Sequence, residues 1–452
     1  MRIQNQVIRV TLAILLLSTI AVPLTYAQES EVNWRQFEGT ELTALLVSHP
    51  FVDSLEPLLP EFEELTGIKV NIEVLAEQPA FEKLLADLTS GAGTYDIFMT
   101  SPLNNWQYAT AGWLEPLDDY LSNPELTTTD YEVEDFAPGI WAAGRWNREL
   151  MSGIGEGPVW AVPINFESYL LAYRPSILKE KGLEVPETYE ELLAIAPQLH
   201  SPEEGIYGVI TRFDKYWDLP FLTFGTMLQS YGVQMITEDG ELGICSPESI
   251  AATEDFIQLI QEASPEGAGS YTWYDALQGF ASGQYALSVN EADLFAPVYE
   301  DPEQSDVSDD VGYAPTPLGP TGERRASAWI WQMSMNSASR NKGAAWLFLQ
   351  WLTSKGTMVK THLGGNMNPV RMSAWEDPDV AAMVMEWGEE PGQYLETVQI
   401  MAEVAGIRFP PHPELTRMLD RWAEAIQRSY FGEGSVEENL CQAQEDIARI
   451  LE

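Results

Sequence analysis

Cysteine is nearly absent from this sequence: its 452 residues include only Cys245 and Cys441. That rules out thiolate clusters with zinc spacing. The four histidines (His49, His200, His362, His412) are scattered, without a His-Glu-x-x-His pair, so no metal is expected. No Gly-Lys dipeptide occurs, which removes a Walker-type phosphate loop, and there is no Gly-x-Ser-x-Gly elbow. Gly153-Ile-Gly155-Glu-Gly157 lacks the spacing of a dinucleotide loop and opens no apolar helix. No cofactor and no catalytic residue is therefore expected. Positive charge is scarce as well: 24 Lys and Arg against 69 Asp and Glu give a formal charge of -45. Such a surface repels nucleic acid and anionic lipid, so neither is expected as a partner. It reads first as a solvated acidic face, and it leaves a cationic ligand open.

Long apolar runs are equally rare. Val10 to Leu24 follows Arg2 and Arg9 and precedes Thr25-Tyr26-Ala27, the layout of a signal peptide over residues 1–27. The run is shorter than the roughly 20 residues a spanning helix needs. No cysteine follows the cleavage position, so a lipoprotein-type anchor is not expected. The mature chain, from about Gln28, is expected to be soluble and exported, periplasmic or extracellular. There the two cysteines could bridge, though two buried thiols fit the sequence too.

A chain of this length exceeds what one core usually organises, so two lobes are expected. Glu41 to Val47 reads as a strand, and Ser48-His49-Pro50 turns into an apolar-faced helix that Gly67 stops. Ile68, Val70, Ile72 and Val74 alternate strictly, as in a half-buried strand. A helix from about Phe81 to Ser90 and the strand Tyr95 to Met99 continue an α/β order with parallel pairing. Val159 to Ile164 and Tyr169 to Tyr173 read as two more strands. Later helices follow Ser246 and cover Ala344 to Leu352 and Pro413 to Arg428. The Pro-, Gly- and Asp-rich tract Tyr299 to Gly322 reads as a crossing between lobes.

What the chain has in excess is aromatic surface: 15 Trp, 18 Tyr and 16 Phe. Trp106, Trp217, Trp273, Trp329 and Trp331 fall outside helical core spacing. An indole covers the C–H patch of a sugar or polyol while its N–H donates a hydrogen bond. Carboxylates and amides such as Glu77, Asn104, Glu167 and Asn290, at predicted strand ends or loops, would meet the hydroxyls. Core packing competes with this role for each single Trp, and a solvated surface for each single Glu.

Several blocks carry a resemblance: Leu58 to Val70, Tyr95 to Met99 with Ala111 to Asp119, and Ala161 to Ile164 with Leu171 to Arg174. Gly182 to Tyr189 and Ala328 to Trp331 with Ala344 to Ser354 complete it. In this order they resemble family 1 of the extracellular solute-binding proteins, the receptors of sugar ABC importers, over nearly all of the mature chain. Pro163 to Ser168, Leu75 to Gln78 and Asp301 to Pro315 are similar to the sorbitol/mannitol type. Asn165-Phe166, Leu103-Asn104 and Asn290 depart from that type, which leaves polyol, monosaccharide and short oligosaccharide open.

The resemblance implies a type II two-lobe periplasmic-binding-protein fold with a ligand cleft between lobes joined by hinge crossings. Residues 28–157 with about 308–360 would form the amino-terminal lobe, and 158–307 with about 361–452 the other. Glu77, Glu167, Trp217, Asn290, Trp329 and Arg371 would face the ligand. His49, Ser101, Asn104, Asn165, Trp331 and Asn366 complete the candidate set. The implied partners are a carbohydrate or polyol and the membrane subunits of an ABC importer, with the receptor a monomer. Two other readings stay open at this point. One is a polyamine receptor, prompted by the acidity. The other is a secreted glycosidase using Glu77 and Glu167 as acid and base. Trp329→Ala is expected to weaken binding while leaving the fold intact.

Overall fold

The structure, a computed structural model, describes residues 32–452 except Met151 and Glu238, so the expected signal peptide lies outside the described residues. It contains two main sheets. In the first, strands β1 (Glu41–Val47), β2 (Lys69–Leu75), β3 (Ile97–Thr100), β4 (Ala161–Glu167) and β10 (Trp329–Met335) take the order β2-β1-β3-β10-β4. β1 runs parallel to β2 and β3, and β10 antiparallel to β3 and β4. The second sheet has the order β6-β7-β5-β8, from β5 (Tyr169–Tyr173), β6 (Tyr207–Ile210), β7 (Tyr285–Ala292) and β8 (Gly312–Pro315). β9 (Ala326–Ser327) and β11 (Ala405–Gly406) pair as a short ribbon between the lobes.

The local grammar is as read. Leu42 and Ala44 to Val47 are fully buried, as a central parallel strand requires. The helix Leu59–Thr66 ends at Gly67 with φ 69, and a Cβ there would also strike the Glu38 side chain. The α/β class and the type II two-lobe arrangement are both present, with one main sheet in each lobe.

Sheet membership differs from the expected crossing points. β4 is the edge strand of the first sheet, not part of the second lobe from residue 158, and β8 belongs to the second sheet, not to the first lobe from residue 308. The cause is non-local. β4 and β5 are both buried and only Ser168 separates them, yet each pairs with a different sheet. Burial patterns along a chain do not record which sheet a strand joins.

Ser168 is therefore a hinge. Its amide N–H and hydroxyl both donate to Asp293, whose other donor is the Asn368 amide at 2.6 Å. Asn368 also donates to the Phe166 carbonyl at 3.0 Å and adopts φ 57, so two crossings are buckled together around one carboxylate. Burial pushes Asp293 up to about 7, against the pull of these donors.

Cys245 and Cys441 form a disulfide closing 196 residues of chain. It ties the start of the helix Pro247–Ala263 to the carboxyl-terminal helix Val436–Leu451. Cys441→Ser is expected to lower unfolding free energy by about 2–4 kcal/mol, read from urea denaturation with and without reductant. The reductant should have no further effect on the variant.

Candidate functional site

The carboxyl ends of the strands and the hinge meet at one narrow cavity, lined by residues from both lobes. The first lobe supplies His49, which follows β1, and Glu77, the first residue of the helix Glu77–Ser90 after β2. The hinge strands supply Glu167, Trp329 and Trp331, brought to one face because Trp329 pairs with Glu167 and Trp331 with Asn165. A register shift between Trp331 and Gln332 leaves Ile164 out of the ladder and re-aims this end of the pair. The second lobe supplies Arg212, Leu222, Trp273, Leu294 and Phe295.

Three donors converge on Glu167. The Trp331 indole N–H donates to Oε1 at 2.7 Å and the Tyr169 hydroxyl to Oε2 at 3.3 Å. His49 Nε2 lies 3.7 Å from Oε1. His49 Nδ1 already accepts the Phe51 amide at 3.0 Å as helix cap, so in the neutral ring the proton sits on Nε2. That Nε2 has no hydrogen-bond partner among the described residues, and neither has Trp273 Nε1. Buried donors without acceptors are costly, and a ligand hydroxyl would satisfy both.

Opposite, Arg212 follows β6 at the carboxyl edge of the second sheet. Its amide N–H donates to Glu291 Oε1 at 2.7 Å, its Nε and Nη2 to Glu291 Oε2, and its Nη1 to Asp218 at 3.2 Å. One guanidinium is thus shared among the acids. Burial, and next the charge of Asp218, push Glu77 up to about 8 despite Arg212. Asp214 is pushed up to about 8 for the same two reasons. Aromatic faces close the rest: Trp217 stacks on Trp329 at 4.8 Å, and Trp329 meets Trp331 edge-on at 5.4 Å.

The cavity measures only about 10 Å³ in this closed arrangement, so a ligand enters when the lobes part. Larger cavities exist elsewhere, including an apolar one of about 410 Å³ behind Phe166 and Ile330, but they lack this convergence of carboxylates, indoles and orphaned donors.

Of the candidate residues, His49, Glu77, Glu167, Trp329 and Trp331 line the cavity, and Trp217 backs Trp329. The others lie outside that lining. Ser101 caps the helix Pro102–Ala111, and its hydroxyl donates to Asn104 at 2.7 Å. Asn165 donates to Asn366 at 2.9 Å and to the Met367 carbonyl, knitting the hinge. Asn290 is the residue omitted where the β5–β7 register shifts, at φ 52, a backbone Asn tolerates better than most. There it accepts the Tyr189 hydroxyl at 3.1 Å and donates to the Thr223 carbonyl. Arg371 is fully buried, donating to the carbonyls of Thr353, Glu132 and Tyr131 and packing on Phe136 at 4.1 Å.

Arg212, Leu222, Leu294 and Phe295 were missed, and Trp273 was noticed only as one loop tryptophan among several. Arg212 had a legible signal: a lone cation straight after an apolar strand, where α/β sheets bind ligands.

Residues 49–359 match the bacterial extracellular solute-binding protein family. The chain belongs to that family. Members of the family are solute-binding proteins of transport systems. The chain is 32% identical over 406 residues to an erythritol/L-threitol-binding protein of Mycolicibacterium smegmatis, covering 89% of this chain and 84% of that one. It is 25% identical over 425 residues to a mannitol-binding protein of Pseudomonas aeruginosa, covering 91% and 93%. An ABC transporter solute-binding protein of Agrobacterium radiobacter K84 in complex with ribitol superposes with a TM-score of 0.81 at 25% identity, over 91% of this chain and 99% of that one. A D-mannitol-bound counterpart from Agrobacterium vitis S4 shares the fold at a TM-score of 0.78 and 22% identity, over 91% and 98%. No finding favours the polyamine or glycosidase reading. Among the described residues no helix is long and apolar enough to cross a membrane.

Trp329 carries a correction of its own. It is 2% exposed, stacked on Trp217 and edge-on to Phe221 at 5.8 Å, so it is core and cavity wall at once. Trp329→Ala is expected to weaken ligand binding more than tenfold and also to cost about 3–5 kcal/mol of stability. Calorimetric titration and urea denaturation of the same preparation separate the two effects.

Proposed function

We propose that this solute-binding protein captures a short acyclic polyol, of about four or five carbons, outside the cytoplasmic membrane after loss of residues 1–27. The observation that carries this reading is the Glu167 cluster: a carboxylate fixed by Trp331 and Tyr169 beside the orphaned Nε2–H of His49, under a cover of indoles. A polyol hydroxyl both donates and accepts, so it can enter between His49 and Glu167 without leaving either unpaired. Glu77 and the Trp273 N–H would take further hydroxyls, while Trp329 and Trp331 would cover the C–H edge. The tightness of the closed cavity favours a small ligand, and the likeness to a tetritol receptor points the same way.

Capture follows from closure. A ligand shifts open to closed only through contacts it gains on closing, here with Arg212 and Trp273 of the second lobe. The closed shape is then what the importer's membrane subunits would receive. An anionic analogue would meet Glu77, Glu167, Asp214 and Asp218 with one guanidinium to offset them, so sugar acids should be rejected.

A thermal-shift panel of erythritol, L-threitol, ribitol, mannitol, maltose, erythronate and spermidine tests the reading. Tetritols or ribitol should raise the melting temperature most, and erythronate should have no effect. A shift with spermidine or maltose and none with any polyol would overturn it.

A further inference from the structure

On the second lobe, beneath β9, lies a cavity of about 240 Å³ that takes no part in the site above. Arg325, Arg408 and Gln229 line it together with Met235, Phe409 and Trp422. We infer that this cavity is a second binding site, for a small organic carboxylate with a short apolar tail.

The argument begins with charge. In a chain of 69 acids and 24 bases, two guanidiniums line one cavity, and among the described residues no carboxylate bridges them. Arg408 is positioned by neutral acceptors alone: Nη1 donates to Gln229 Oε1 at 2.7 Å and to the Ala326 carbonyl at 2.8 Å, and Nη2 to the Val404 carbonyl at 2.7 Å. Arg325 pairs with Glu323, but both side chains are largely in solvent, 40% and 58% exposed, so that pair is screened. Burial, and then the charge of Arg325, hold Arg408 below the usual guanidinium range. An incoming carboxylate would relieve that repulsion and could accept a paired set of N–H donors from a fork already held in place.

Shape supplies the rest. A volume of about 240 Å³ is far above the roughly 10–15 Å³ that a single water needs, which leaves room for a short-chain acid. Phe409 and Trp422 offer the tail an apolar wall, which a hydrated inorganic anion could not use. The site is also built onto a crossing between lobes, because Gln229 donates to Ser327 Oγ at 2.8 Å while Arg408 holds Ala326.

Calorimetric titration of the full chain in carboxylate-free buffer tests this, with hexanoate, 1-hexanol and inorganic phosphate as probes. Hexanoate should bind at one site, at least tenfold tighter than either of the others. Arg408→Gln should weaken hexanoate at least tenfold with polyol binding retained, which also shows that the variant is folded. Arg325→Gln gives a second variant away from the packed interior and should act in the same direction. The inference is overturned if hexanoate does not bind in the millimolar range. It is equally overturned if phosphate binds as well as hexanoate, or if hexanoate binding survives both substitutions combined.

Discussion

Glu167→Gln is expected to weaken polyol binding about a hundredfold or more, although it changes one atom and no volume. Glu167 faces the Trp331 indole N–H, the Tyr169 hydroxyl and the Nε2 side of His49. The carboxylate accepts from the indole and the phenol, and it turns only lone pairs toward the unpartnered His49 Nε2. An amide offers one oxygen and turns an NH2 toward the remaining donors. Each buried donor left facing another costs about 1–3 kcal/mol, and about 2.7 kcal/mol corresponds to a hundredfold. Part of the loss would fall on the unliganded protein as well, so titration calorimetry should be accompanied by a denaturation curve. If the amide variant bound a tetritol within a few-fold of the parent, Glu167 would be a strut of the hinge and no part of the ligand wall.

The second large effect is on pH. Lobe closure brings Glu77, which has Glu167 near it on its own lobe, against Asp218 and Asp214, with Arg212 the opposing cation and the hydroxyls of Tyr216 and Tyr274 close by. In the open form Glu77 should titrate near the ordinary carboxylate value, and in the closed form its pKa is raised to about 8. Protonation therefore favours closure. The contribution is fully present below the open-form value and is lost as pH rises through about 8. Glu77 takes up one proton on closing within this window, so its own contribution is a fall of at most about tenfold per pH unit. Ligand hydroxyls donating to Glu77 stabilise its charged form and make the slope shallower. We expect a fall of at least tenfold between about pH 5.5 and 8.5, and a flatter profile for Glu77→Gln. The slope that persists in that variant belongs to Asp214, which is also pushed up to about 8, with Asp218 beside it. Affinity that rises with pH would reverse the assigned linkage.

Most of the fold was legible because it rests on local signals. Gly67 stops a helix, the alternation from Ile68 to Val74 makes an outer strand, and the blocks shared with the family lie in order along the chain. Half of the candidate cavity's lining was legible for the same reason, since His49, Glu77, Glu167, Trp329 and Trp331 sit at strand ends or on hinge strands. The misplaced residues share one cause. Asn165, Asn366 and Asn290 have the chemistry of a polyol contact, but each is engaged, Asn165 and Asn366 through one amide atom and Asn290 through both, by a group that comes close only after folding. Arg371 is held by backbone carbonyls from a segment some 240 positions away, and nothing local to it announces that. Arg212 carried a local signal, a cation straight after an apolar strand, while its carboxylate partners, Glu291 and Asp218, are assembled from separate elements.

Strand β4 ends the first sheet and carries Glu167, so His49, Glu77, Glu167, Trp329 and Trp331 all ride on one lobe while Arg212, Trp273 and Phe295 ride on the other. The division of labour is lopsided: one jaw reads the hydroxyls and the other acts as a lid. A polyol arriving at the gaping receptor can already be weighed by that first jaw, before anything swings. Recognition and commitment thus become separable events, the former governed by Glu167 and the latter by the acids that meet when the lid comes down.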